Sequence, residues 1–292
     1  MNQTAQFRAR AETEAARLPA LLARAEHLAG TVLLGEHGRR RPGMGDDFWQ
    51  YRPMQPGDEL RMIDWRRSAR SDTQFLRQRE WQIAQSVTIW VDGAASMRFA
   101  SSDDVPRKAD RARLLALAIA ILLNRAGERT GLAGTDVPPR RGEAQIERLA
   151  LALARDSDED YGAPQTRGMM SHGRALFLSD FLGDIGAVRD ALTEAADRGV
   201  QGVVYQILDP AEESFPYRGR TIFESVGGTL AHETLKASEL RARYLDRLAR
   251  RKDELERLCA TTGWLFATHH TSQTAQSALL WLYNAFDGGH GR

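Results

Sequence analysis

A hard divalent cation takes carboxylates, hydroxyls and waters as oxygen ligands in a near-octahedral array. VDGAASM, Val91 to Met97, has residues of those types: Asp92 follows the apolar run Val87-Thr88-Ile89-Trp90, and Ser96 comes four residues later. One expected hydroxyl is missing, because Ala94 stands between them. Asp180 in LFLSDF, Asp209 in YQILDP and His269 in LFATHH each follow a further apolar run. In an open parallel sheet the loops at the carboxyl ends of the strands carry the chemistry, so position alone gathers these four residues at one rim. Ser96, His269 and Asp180 are also the types of a hydrolytic triad, but no Gly-x-Ser-x-Gly elbow exposes a nucleophile. Neither a Walker sequence nor Gly-x-Gly-x-x-Gly is present, so nucleotide binding has no motif behind it. His269 and His270 are neighbours on a strand and face opposite sides, so at most one of them joins a shared site.

The elements that position this rim alternate strand and helix. Strands are expected at 86–91, 130–133, 175–178, 203–208 and 264–268, and helices at 107–125, 143–154, 185–198, 235–259 and 274–286. The stretch LLALAIAILL in the first of these helices is apolar nearly all round, which predicts deep packing. The helix over 235–259 carries an inner stripe of Leu240, Tyr244, Leu248, Leu255 and Leu258, with a solvated, arginine-rich face at 241–257. DSDEDYGAPQTRG reads as an exposed acidic loop, and ESFPYRGRTIFESV as a hairpin. Upstream, residues 3–29 read as a helix, 39–45 as a turn or loop, and 73–80 as a strand. The pattern predicts an α/β fold, a Rossmann-type, mostly parallel sheet with helices on both faces, plus an N-terminal helix and β-rich extension. The expected division is an extension over 1–85 and an α/β domain over 86–292.

Composition narrows the setting. At 292 residues the chain suits one domain with an extension, or two domains. A formal charge of +1 gives no excess of basic charge to hold nucleic acid or an anionic membrane. All but three of the 40 basic residues are Arg. The single cysteine, Cys259, excludes an internal disulfide and predicts a reducing compartment. MNQTAQFRAR has no apolar core of a secretory leader, and no segment approaches the ~18 apolar residues that span a bilayer. The expectation is a soluble, cytoplasmic protein without membrane insertion.

The string YRPMQPGDELRMIDWRRSAR, Tyr51 to Arg70, has an unusual arrangement: Arg52, Pro56, Gly57, Asp58, Arg61, Ile63, Asp64, Trp65, Ser68, Ala69 and Arg70. With the upstream pair Asp47-Phe48 and the later Asp-x-x-x-Ser-Met, it resembles the bacterial domain-of-unknown-function family 58 over residues 45–97; beyond that the likeness is architectural. The resemblance implies a von Willebrand factor A-like α/β domain carrying an N-terminal insertion particular to the family. It also implies work beside MoxR-type AAA+ ATPases in maturing or remodelling other proteins. On that basis the chain is expected to be a non-catalytic protein-protein interaction module whose partners are a MoxR-type ATPase and an unidentified client. The alternative is a metal-assisted hydrolase or nucleotide-binding enzyme using Asp92 and Asp180.

A cation-binding A domain uses Asp-x-Ser-x-Ser, a Thr from a second loop and an Asp from a later strand. Here Asp92, Ser96 and Asp180 match three of those positions, whereas Ala94 replaces the first Ser and DVPPRRGE, 136–143, offers no Thr. The set is eroded: no cofactor is expected, with Mg²⁺ at low occupancy as the ion that would sit there. Arg140 or Arg141 is then expected to neutralise Asp92 as an ion pair. Arg52, Asp58, Arg61, Asp64, Trp65 and Arg70 are either a partner-binding surface or a local polar network anchored by Trp65.

Overall fold

The computed structural model describes residues 19–32, 42–54, 63–69, 73–80, 85–219, 221–224, 231–234 and 237–287. The chain divides into two compact units, Met1–Leu34 with Gln85–Arg292, and Gly35–Ala84.

In the larger unit five strands form one sheet: β3 (Ser86–Val91), β4 (Arg129–Leu132), β5 (Arg174–Ser179), β6 (Gln201–Leu208) and β9 (Leu265–His270). Their order is β4-β3-β5-β6-β9 and every pairing is parallel. The central strands are buried on both faces, which is why they read as continuous apolar runs rather than alternating ones. Side chains still alternate across the sheet. Leu176 and Leu178 join one core cluster with α3 (Lys108–Arg125), α4 (Glu143–Leu153) and α8 (Ala275–Asp287). Ala175 and Phe177 join the other, with α5 (Ile185–Asp197) and α7 (Ala237–Thr262). Phe177 packs between Trp90 and Trp264, at centroid distances of 5.8 and 4.9 Å. Cys259 lies in this second cluster, and burial pushes its thiol up to about 12.

The apolar helix α3 is buried almost all round because sheet, α4 and α8 cover it together. Residues 19–32 form helix α1, whose Ala25, Leu28 and Ala29 are buried in the same cluster as α3. The N-terminal helix therefore groups with the α/β body, not with a 1–85 extension, because its small and leucine face completes that core. After β6 come the short helix α6 (Pro210–Ser214) and an antiparallel hairpin of β7 (Thr221–Glu224) and β8 (Ala231–Thr234).

The smaller unit pairs β1 (Pro42–Pro53) with β2 (Phe75–Glu80), antiparallel and with two register shifts, around the single turn α2 (Trp65–Ser68). Asp64 caps that turn, accepting a hydrogen bond from the Arg67 N–H at 3.1 Å. Ser68 ties turn to strand by donating to the Asp64 carbonyl and accepting from the Phe75 N–H. Ile63 is buried, whereas Trp65 is 61 % exposed, so the apolar anchor expected of Trp65 is supplied by its neighbour two residues earlier. Asp58, Arg61 and Arg70 lie outside the described residues, as does the side chain of Arg52.

Candidate functional site: the rim at the switch point of the sheet

In the order β4-β3-β5, the chain moves outward from β3 to β4 and then returns to β5 on the other side. The loop after β3 leads to α3 on one face and the loop after β5 to α5 on the other, so a crevice opens between them. Asp92 ends β3 and Asp180 ends β5, and the structure brings both to this crevice, each about 1–2 % exposed. Asp209 and His269 also reach the strand ends, but each is consumed in building the rim.

Asp209 caps α6. Its Oδ1 accepts from the Ala211 N–H at 2.8 Å, its Oδ2 from the Ser101 N–H at 2.9 Å, and Glu212 reaches back to the Asp209 N–H at 2.8 Å. This reciprocal capping box fixes the helix and aims the other oxygen of Glu212 inward. His269 lies 2.8 Å from Arg111 Nη1 and is stacked beside Tyr205, while Arg111 also donates to the Thr271 and Gln273 carbonyls. Burial, with the Arg111 charge adding, lowers the His269 imidazole to about 4. The folded protein thus holds His269 neutral while the unfolded chain protonates it at the ordinary value near 6.5. Stability present above pH 6.5 is lost as pH falls toward 4, by about 2 kcal/mol between pH 7 and pH 5. Urea titrations across that range should show the fall, and His269→Gln should flatten it.

The floor of the crevice is an ion cluster. Lys108, the first residue of α3 and 1 % exposed, places its Nζ 2.8 Å from Asp180 Oδ2 and 2.6 Å from Glu212 Oε1. Burial opposes the ammonium, but the charges of Asp180 and Glu212 outweigh it and hold its pKa above the usual lysine range. Burial keeps the Glu212 carboxyl above the ordinary value even though Lys108 pulls it down, since that one ammonium is shared with Asp180. The other oxygen of Asp180 accepts from the Leu182 N–H at 3.0 Å.

Asp92 is spent differently. Its Oδ1 accepts from the Ala94 N–H at 2.8 Å and its Oδ2 from the Ser179 hydroxyl at 2.7 Å. Burial pushes its carboxyl up, the nearby Asp180 charge adds to this, and the Ser179 hydroxyl with the Ala94 and Gly162 N–H groups works against it. The acidic segment is the exposed loop expected, and its backbone folds over this carboxylate: the Ala95 and Ser96 N–H groups donate to the Glu159 and Asp160 carbonyls, and the Ser157 N–H donates to the Gly93 carbonyl. Arg113 on α3 pairs with Asp156 and pins the segment down. At Gly162 an added Cβ would lie 2.3 Å from Asp92 Oδ1, so only glycine allows so close a cover.

Above the floor lies a cavity of about 610 Å³. Ser96, Lys108, Asp180 and Glu212 line its base, and Phe99, Tyr161, Phe215, Tyr217 and Tyr244 its walls. Arg243 and Arg247 of α7 stand at it with no ion-pair partner among the described residues. The phenols of Tyr161, Tyr217 and Tyr244 are pushed up by burial first and by neighbouring carboxylates second. The Ser96 hydroxyl is buried and has no hydrogen-bond partner.

A divalent cation does not fit these residues. Every oxygen of the two carboxylates that would hold it already accepts a hydrogen bond, and a buried ammonium sits on one of them. No group of three or more His, Cys, Asp or Glu could hold a metal among the described residues. Arg140 and Arg141, expected at Asp92, are exposed; the backbone of Arg140 pairs instead with Thr130 at the edge strand β4. The cation near the site comes from α3, a source the apolar pattern of that helix concealed. A signal was available in retrospect, since Lys108 is one of only three lysines in an arginine-dominated chain and Asp209-Pro-Ala-Glu212 spells a capping box.

A family model described as protein of unknown function DUF58 matches residues 50–254. The chain belongs to this family. DUF58 relatives include uncharacterized proteins of Mycobacterium tuberculosis and Mycobacterium bovis, each 28% identical over 217 residues, spanning 69% of this chain and 67% of theirs. Among solved structures, this DUF58 chain is similar to the conserved hypothetical protein BatB of Bacteroides thetaiotaomicron, with a TM-score of 0.38 and 15% identity. It is also similar to an aerotolerance-related membrane protein of Bacteroides fragilis, with a TM-score of 0.40 and 13% identity; each match covers 70% of this chain and 100% of the other. The second of these corrects the expected cytoplasmic location: a chain this DUF58 protein resembles is a membrane protein, and location in the cytoplasm is withdrawn. No helix among the described residues is long and apolar enough to cross a membrane, which by itself assigns no compartment.

Proposed function

We propose that this DUF58 protein is a non-catalytic protein-protein interaction module, an adaptor that works with a MoxR-type AAA+ ATPase on a client protein. The observation that carries this reading is the cavity at the switch point, where five aromatic rings and two arginines without an ion-pair partner among the described residues surround a floor whose charges are already spent on one another. Tyrosine and arginine around a pocket are the residues that dominate binding energy at protein interfaces. Against the hydrolase alternative stands the Ser96 hydroxyl, which has no base hydrogen-bonded to it, and His269, which is committed to Arg111.

The test uses the purified chain and the MoxR-type ATPase of the same organism, with binding measured in ADP and in ATP. Tyr244→Ala and Arg247→Ala should each weaken the complex at least tenfold, given a hot-spot cost of about 2 kcal/mol. Absence of binding in both nucleotide states, or equal affinity for wild type and both variants, would defeat the reading.

A further inference from the structure

We propose that Lys108 is the resident cation of this rim, so that the site keeps its shape and binds its partner without a divalent metal. The inference stands on the geometry of the floor and not on which protein docks there, so cation titrations and partner-binding assays fail independently.

Asp180 closes β5 at the switch point, Glu212 is aimed inward by its capping box, and the two elements converge on one point. Two buried carboxylates facing one another repel and lose solvation, so their shared point needs positive charge. The Lys108 Nζ fills that point at 2.8 and 2.6 Å, distances that suit N⁺–H···O⁻ hydrogen bonds and exceed the ~2.0–2.1 Å of Mg²⁺–O contacts. α3 delivers the ammonium from its first turn, at the end of the helix nearest the loops after β3 and β5. A lysine tethered by its own backbone cannot dissociate, whereas a bound ion can be removed by chelation. The erosion seen at Ala94 has a physical reason on this account: with the charge supplied covalently, hydroxyl ligands lose their purpose.

The partner accordingly meets a different floor. An open coordination position would select a carboxylate. Here the base of the cavity holds Ser96, 4 % exposed with its hydroxyl buried and unpartnered among the described residues, and an ammonium that spends two of its three N–H bonds on Asp180 and Glu212. A carboxylate tip would add negative charge next to two carboxylates that share one cation, so a neutral acceptor, an amide or hydroxyl oxygen, is the tip that suits it.

The experiment compares thermal unfolding of the full chain in EDTA, Mg²⁺, Mn²⁺ and Ca²⁺. The wild type should melt at one temperature in all four, and Mn²⁺ should give no bound-ion signal by paramagnetic resonance. Lys108→Ala leaves two carboxylate oxygens facing a vacated point that a small closure brings within ~2.3–2.6 Å, the range of Ca²⁺–O contacts. That variant should gain several degrees in Mn²⁺ or Ca²⁺, and adding Asp180→Asn should erase the gain. If Lys108→Ala does not fold in EDTA, the reading becomes recovery of folded protein on adding Mn²⁺, with Lys108→Gln as the second variant. A saturable rise in wild-type melting temperature that Asp180→Asn removes would overturn the proposal. So would folded Lys108→Ala and Lys108→Gln proteins that are both indifferent to the ions.

Discussion

Lys108→Met is expected to lower the free energy of unfolding by about 3–5 kcal/mol, the cost of removing one partner from a buried ion pair and leaving the other charge uncompensated. The side chains of Lys108 and Asp180 are each 1 % exposed, so water does little to soften the loss. Methionine matches the length of the lysine stem, which keeps packing beside Phe99 and isolates the charge effect. The penalty should also depend on pH in a defined direction. Burial already raises the Glu212 carboxyl, and Lys108 is what opposes it. Without the ammonium the folded-state pKa moves further above the unfolded value. The folded variant then binds more protons than the unfolded chain, and its stability improves as pH falls through that raised pKa. Urea unfolding at pH 5 and pH 7.5 checks this: the gap between wild type and Lys108→Met should narrow at the lower pH. A constant gap would mean that packing, not charge, accounts for the loss.

Asp209→Ala is expected to cost about 3 kcal/mol, although Asp209 is not in contact with Lys108. Its two oxygens satisfy the Ala211 and Ser101 N–H groups, and hydrogen bonds to a charged group are worth about 1.5–3 kcal/mol each. The loss frees α6, and with it the backbone N–H that orients Glu212. Glu212 then no longer meets Lys108 reliably, so the effects of Asp209→Ala and Lys108→Met should overlap. In a double-mutant cycle the combined loss should fall short of the sum by 1 kcal/mol or more. Strict additivity would show that the cap and the ion pair are independent.

The parts of the fold legible in the sequence were those with strong local signals. The runs VTIW, ALFL and VVYQIL are too apolar for a half-exposed strand, so they imply a sheet covered on both sides, and the structure has one. The placement of Asp92 and Asp180 at one rim followed from strand order rules that need no side-chain detail. Helix α1 was legible as a helix but not in its allegiance, because a leucine stripe states that it must be buried and not against what. Trp65 shows the same limit: a large aromatic in a polar string suggests an anchor, yet Ile63 is the buried residue there.

The chemistry of the rim was decided by tertiary structure. Sequence alone determined which oxygens could gather at the strand ends, because strand and helix periodicity set the topology and topology sets the crevice. It did not determine their counter-charge. Lys108 lies 72 positions from Asp180 and Glu212 lies 104 from Lys108, so only the folded chain makes them partners. The same holds for the acidic segment over Asp92, which is held by backbone hydrogen bonds, by the Arg113–Asp156 pair and by the close approach that Gly162 allows, none of which has a local sequence signal. Periodicity is a property of neighbours along the chain, whereas the charge a buried carboxylate meets depends on which distant side chain the packing brings to it.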